Sequence, residues 1–240
     1  MARARYAHLY SAPAVDPLVS VMIPTYNRGQ LLVDRTLPSV LAQTYQNLEV
    51  VIVGDACPDN TPEVLSQIKD PRIRFFNLSQ RGQYPEDVSC RWFVAGVDPA
   101  NKALELIRGM WIAWLDDDDV FTPDHIETLL RFAQKEQYEF VAALYEEERN
   151  GERVVVGHKS DEYPEYGGHS TWLYRSYLRL FKYNIHSWRK SWNRPTDIDL
   201  QLRMRAAGVR MGALDQIVTY VLPRPGSNTV GLAAHKVEST

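Results

Sequence analysis

Trp111-Ile112-Ala113-Trp114-Leu115-Asp116-Asp117-Asp118-Asp119 is the stretch that decides how this 240-residue chain is organised. Met110 to Leu115 is a strand-sized apolar run, and four adjacent aspartates follow at its carboxyl end. A continuous apolar run reads as a strand buried on both faces, the situation of a parallel sheet covered by helices. Open α/β sheets gather their ligands at the carboxyl ends of strands, and there this run puts four mutually repelling carboxylates. A divalent cation resolves such repulsion, since Mn2+ or Mg2+ takes hard oxygen ligands, usually one or two carboxylates together with substrate phosphates. The alternative is an acidic turn whose Asp119 or Asp124 favours the positive end of the helix opening at Thr122-Pro123-Asp124.

The same alternation extends to both sides. Val19 to Ile23 is a short apolar run closed by Pro24, and after the turn Thr25-Tyr26-Asn27-Arg28-Gly29 a helix is predicted through Leu41, bent at Pro38. Leu48 to Val53 is a second buried strand ended by Gly54-Asp55, Thr61 to Ile68 a helix, and Ile73 to Phe76 a third strand. Residues 77–97 read as irregular, followed by a helix with Asp98 as its cap and Pro99 at its first position. Downstream, Ile126, Leu129, Leu130 and Ala133 keep helical spacing, and strands at Tyr138–Tyr145 and Arg153–Val156 flank Asn150-Gly151. Asp197 to Ala207 is a helix stopped by Gly208, and Ile217 to Leu222 a last strand. Strands separated by helices pair in parallel through right-handed crossovers, so the fold class is α/β, a mostly parallel sheet flanked by helices.

Composition sets the outer limits. With 45% hydrophobic and 24% charged residues the chain is globular, and its length suits one domain over 19–222 with a lead-in at 1–18 and a flexible tail at 223–240. A net charge of −3 provides no basic field for a nucleic-acid backbone, so nucleic acid is excluded as partner. Cys57 and Cys90 make neither a disulfide framework nor a zinc site, which fits a reducing cytoplasm. No apolar run is long enough to cross a bilayer, and peripheral contact at the inner membrane face is the membrane association left open.

Two further acids stand out. Asp55, at a strand's carboxyl end, can accept a hydrogen bond from a ligand N–H, or equally close an Asx-turn. Asp197 follows Pro195 at a helix start, where an ionised carboxylate can take a proton from an attacking hydroxyl. The plainer reading has Asp197 as an N-terminal helix charge, with Asp199 and Arg203 paired on the surface. Tyr163, Tyr166, Trp172, Tyr174, Tyr177, Trp188 and Trp192 crowd one stretch, interleaved with bases such as Arg194, and suggest a substrate-facing subregion. His158, His169, His186 and His235 are the histidines from which a third metal ligand could come, but no pair has the spacing of a helical zinc site and none is assigned; Glu146-Glu147-Glu148 reads as a solvated charge run.

In order and spacing these pieces resemble the inverting glycosyltransferases of family two, which have the GT-A, Rossmann-like fold. Val19 to Arg28 resembles the opening strand and nucleotide-binding turn, Leu115 to Asp119 the aspartate-any-aspartate segment, and Asp197-Ile198-Asp199-Leu200 with Arg203 and Gly208 the catalytic-base helix. The resemblance implies a nucleotide-sugar-binding half at 19–119 and an acceptor-binding half at 120–222. It implies donor contacts from Pro24, Thr25, Tyr26, Arg28, Asp55, Asn101, Asp116 and Asp117, a Mn2+ or Mg2+ on Asp118 and Asp116, and Asp197 as general base. Trp172, Tyr174 and Trp188 would face the acceptor, a sugar, a lipid-linked molecule or another small molecule, and Arg224 and Ser227 would close over the diphosphate. Two departures are visible: Gly54-Asp55 where the family commonly has paired aspartates, and Ala100-Asn101 where it has an arginine, for which Arg81 or Arg91 can substitute. The implied activity is inverting transfer of a sugar from a nucleoside diphosphate sugar, of UDP or dTDP type, to an acceptor hydroxyl. The competing readings are a non-catalytic sugar-nucleotide or glycan-binding module and a sugar nucleotidyltransferase.

Overall fold

The computed structural model describes residues 15–157, 167–190 and 195–238; His158, Tyr163, Tyr166, Trp192 and Arg194 lie outside the described residues. Strand β1 (Val19–Thr25) is buried along its whole length. It runs parallel to β2 (Leu48–Gly54) on one side and to β4 (Trp111–Trp114) on the other, and β3 (Ile73–Asn77) extends the sheet beyond β2. Pro24 is tolerated in this central strand because Val19 N–H points to Asn47 on the β2 side, so even positions face β4. Pairing with β4 stops at Met22↔Trp114, and no strand requires a donor from Pro24.

After β1 come α1 (Gly29–Leu31), a π-helical turn at Leu32–Thr36 and α2 (Leu37–Leu41). The irregularity lies upstream of Pro38, because proline offers no N–H to the Asp34 carbonyl and the preceding turn widens. Gly29 backs onto α3 (Thr61–Ser66), where a Cβ would fall 2.7 Å from Thr61 Cα. The stretch expected to be irregular contains α4 (Val88–Val94), capped by the Asp87 carboxylate, which accepts from Cys90 N–H at 2.8 Å. Helix α5 (Val97–Leu106) starts one residue before Asp98, on Gly96 at φ +76°.

Beyond the acidic run lie β5 (Asp119–Phe121), which the apolar pattern is too short to reveal, and α6 (His125–Lys135). A hairpin joins β6 (Phe140–Arg149) to β7 (Glu152–Val156) through Asn150 and Gly151, both at positive φ as a tight primed turn requires. Strand β8 (Leu173–Arg175) is wedged antiparallel between β4 and β6, and β9 (Met211–Val221) lies parallel to β6 after α7 (Thr196–Ala206). The order β3-β2-β1-β4-β8-β6-β9-β5 is therefore parallel on its N-terminal side and mixed beyond β8. The segment expected as a tail carries α8 (Gly231–Glu238), packed on α4.

Both faces of the sheet are covered, as the apolar runs require. Val19, Val21 and Ile23 pack with Leu129 and Leu130 of α6, while Met22, Val51 and Val53 pack with Ala100 and Leu104 of α5. Among the described residues, no helix is long and apolar enough to cross a membrane.

His125 is fully buried, stacked on Phe121 at 3.5 Å with Nδ1 2.8 Å from the Val218 carbonyl oxygen, and burial depresses its pKa to about 3. The unfolded chain takes up a proton at His125 below about 6.5 that the folded chain refuses, so stability falls as pH drops from there toward 3. This one group gives a slope of up to ~1.4 kcal/mol per pH unit. Urea midpoints at pH 7, 6 and 5 should show a shallower decline for His125→Gln than for the wild type; identical slopes would clear His125 of the effect.

Candidate active site

A cavity of about 540 Å³ opens at the carboxyl ends of β1, β2 and β4, where parallel sheets present loops to ligands. Its wall includes Pro24, Thr25, Tyr26 and Arg28 from the turn after β1, all four aspartates of the run, Asp55 and Asp197. On the far side, α4 supplies Trp92 and Phe93, and α8 supplies Ala234 and His235.

Each aspartate of the run has different partners. Asp117 ties the run to β1: Thr25 Oγ1 donates to its Oδ2 at 2.7 Å, Tyr26 N–H at 3.3 Å, and Arg28 Nε lies 3.5 Å from Oδ1. Burial and the Asp118 charge nevertheless push its pKa up to about 7. Asp116 accepts from Trp114 Nε1 at 2.7 Å, and its own N–H donates to Ser170 Oγ at 3.0 Å. The Ser170 hydroxyl has one proton, and its 2.6 Å approach to Asp119 is shorter than the 3.3 Å approach to Asp116. Burial, with the charges of Asp116 and Asp118, raises Asp119 well above the ordinary carboxyl range; Asp116 is raised by burial despite the opposing field of His169. Asp118 pairs with Arg224 Nε at 2.5 Å, so the segment after β9 reaches the acidic run. Ser227, expected beside it, donates to the Thr229 carbonyl at 3.1 Å.

Among the described residues no three His, Cys, Asp or Glu side chains converge into a cation cage. The donor chemistry still suits Mn2+ or Mg2+, which need only one or two carboxylates when a diphosphate supplies the remaining oxygens. Asp116 and Asp118 are the carboxylates that would hold it, Asp118 giving up its pairing with Arg224, and the repulsion between these half-buried charges favours such an ion.

Asp55 is only 3% exposed and accepts from Gly82 N–H at 3.1 Å and Tyr84 Oη at 2.7 Å. Arg81 lies 3.8 Å from it and 3.7 Å above the Tyr26 ring, and Arg81 and Arg91 both line the cavity. Asp197 sits in the first turn of α7, half-buried, its Oδ1 accepting from Ile198 N–H at 2.8 Å. Asp199 departs from the surface pair expected of it: it is fully buried, with Arg203 Nε at 2.8 Å and Lys190 Nζ on its other oxygen.

Four expected contacts lie elsewhere. Asn101 does not line the cavity; its amide brackets the backbone of Tyr183, donating to the carbonyl and accepting from the N–H, both at 2.9 Å. Trp172 and Tyr174 are 0% and 1% exposed because β8 is an interior strand with both faces covered, and Trp188 packs against the same core. The aromatics that do reach the cleft include Trp92 and Phe93, in the stretch read as loop, and Trp114. Glu147 departs from the solvated charge run expected of it: it is 5% exposed, lines the cavity and pairs with Arg149 at 2.6 Å. Strand alternation separates Tyr145 and Glu147 from Glu146 and Glu148, and that period of two was the available signal. His169 and Ser170 carried no motif at all.

The sequence model of the family described as "Glycosyl transferase family 2" matches residues 20–85 and 100–192. A putative colanic acid biosynthesis glycosyl transferase, WcaA of Escherichia coli, is 33% identical over 132 residues, covering 54% of this chain and 42% of that protein. The S. aureus TarS 1–349 structure in complex with UDP-GlcNAc superposes with a TM-score of 0.66 at 18% identity, over 88% of this chain and 60% of that one. The mannosyltransferase PcManGT from Pyrobaculum calidifontis, in complex with GDP-Man and Mn2+, gives 0.65 at 18%, over 93% and 64%. The two structural likenesses establish the GT-A fold. The chain spans less than half the length of the curated relatives it matches. With well over half of its residues matched, the chain belongs to glycosyl transferase family 2.

Proposed function

We propose that the chain transfers a sugar from a nucleoside diphosphate sugar, of UDP or dTDP type, to an acceptor hydroxyl, with inversion at the anomeric carbon. The observation that carries this reading is that Asp197 and the acidic run, some 80 residues apart in sequence, line one cavity. Binding alone requires no half-exposed carboxylate beside an acidic loop, whereas displacement does. The acceptor oxygen attacks the anomeric carbon as the bond to the diphosphate oxygen breaks, and that oxygen keeps the electron pair. Asp197 takes the proton from the attacking hydroxyl. Arg28 and Arg224, both on the cavity wall, add positive charge beside the leaving group. Asp116 and Asp118 would hold Mn2+ or Mg2+, whose chemistry when bound is to neutralise charge developing on the diphosphate.

The acceptor in this reading is a sugar, a lipid-linked molecule or another small molecule, met in the cytoplasm or at the inner membrane face. Its side of the cleft is formed by Trp92 and Phe93 of α4, which takes over the role first expected of Trp172, Tyr174 and Trp188. Rings of this kind pack against sugar faces or an apolar aglycone.

Thermal melts with Mn2+ and UDP, dTDP or GDP test the donor side: a nucleotide at 100 times its Kd should stabilise the protein by about 2.7 kcal/mol, and no shift with any of the three would remove the donor reading. For the base, Asp197→Asn should bind nucleotide as the wild type does while its turnover falls by about 10²–10⁴-fold. Unchanged turnover would take Asp197 out of the reaction.

A further inference from the structure

A histidine on the cleft wall is enclosed by aromatic rings. His169 opens the 3-10 turn His169–Thr171 and is held by rings: Trp114 stacks on it at 4.2 Å and 16°, Trp172 lies at 4.8 Å and Tyr183 at 5.5 Å. Its Nε2 is buried, with no hydrogen-bond partner among the described residues. The neighbouring polar groups are committed: Trp114 Nε1 to Asp116, Ser170 Oγ to Asp119, and the Tyr183 hydroxyl to that of Tyr174 at 3.4 Å. Buried polar groups in native proteins are mostly paired, and an orphan on a cleft wall is open to a partner that enters the cleft.

The position of the ring says what that is. In the reaction proposed above, the transferred sugar must lie between the acidic run and Asp197. His169 lines the same cavity as the run and Asp197, stacks on Trp114, whose Nε1 donates to Asp116, and adjoins Ser170, which donates to Asp119. His169 is partly exposed and lines the cavity. A half-turn about χ2 exchanges nitrogen and carbon at the ring edge and leaves the stack on Trp114 intact, so a nitrogen can face the cleft.

We propose that His169 contacts the transferred sugar, hydrogen-bonding one of its hydroxyls and thereby selecting among donor sugars. This rests on the donor reading above, and binding separates the two. Calorimetry with Mn2+ would give Kd values for UDP-glucose, UDP-N-acetylglucosamine, dTDP-glucose and GDP-mannose, and for UDP, dTDP and GDP alone. The wild type is compared with His169→Phe, which keeps a flat ring on Trp114 but no nitrogen, and with His169→Gln, which keeps polar atoms.

For the nucleotide sugar that the wild type binds, His169→Phe should raise Kd by about tenfold, as expected for one lost hydrogen bond. Its affinity for the matching nucleoside diphosphate should stay within about twofold, with His169→Gln intermediate for the sugar nucleotide. Equal weakening of both ligands would mark a cation or diphosphate contact and overturn the proposal, as would an unchanged Kd for the nucleotide sugar. If His169→Phe does not fold, His169→Gln against the wild type decides by the same comparison. A wild type that binds neither nucleotides nor nucleotide sugars would sink the donor reading, and this inference with it.

Discussion

Four carboxylates crowded at the end of one buried strand are the constraint around which the cleft is organised. Removing a carboxylate from water costs several kcal/mol unless donors or positive charge replace the lost hydration. The chain brings those replacements from widely separated segments: Thr25 and Arg28 from the turn after β1, Ser170 from the turn before β8, and Arg224 from beyond β9. The π-helical turn adds Thr36 and Arg35, which donate to the Asp117 and Pro223 carbonyls at 3.0 Å each. A hydrogen bond to a charged group contributes about 1.5–3 kcal/mol, so each tie offsets part of one burial without cancelling the repulsion within the run. The remaining imbalance is what makes the loop receptive to positive charge.

A second, smaller knot repeats this logic at Asp55. Gly82, Tyr84 and Arg81 converge on a carboxylate that is nearly inaccessible, and in doing so fix the loop that brings Arg81 over Tyr26. The cleft wall on that side is thus preorganised by an acid that faces its own chain.

The parts of this molecule legible from the amino-acid order are those dictated by local pattern. Apolar runs at Val19, Leu48 and Trp111 mark strands buried on both faces, and polar residues just past a strand's carboxyl end are on the cleft side whatever the rest does, which is why Asp55, Asp116 and Asp118 line the cavity. Asp197 follows from Pro195 in the same way. What pattern does not carry is which strand lies inside the sheet. Trp172 and Tyr174 look like any amphipathic aromatic pair until β8 is seen between β4 and β6. Asn101 resembles a ligand contact until the Tyr183 backbone arrives opposite it, 82 residues later. His169 owes its place to Trp114 and Tyr183, one on either side in sequence, and tertiary pairing of that kind leaves no local signature.

Among the described residues the short strand β5 has β9 as its only partner strand, with Asp119 opposite Val221. On a ribosome, which releases the amino end first, Asp119 to Phe121 therefore emerge about a hundred residues ahead of the segment that pins them. Until that segment arrives, the acidic loop has its ties to Thr25 and Thr36 but neither the β9 pairing nor the Arg224 contact, and closing so long a stretch of chain is entropically slow. The acidic loop is consequently completed late, and a nascent chain interrupted before Val221 holds the aspartates without the strand that pins β5 beside them.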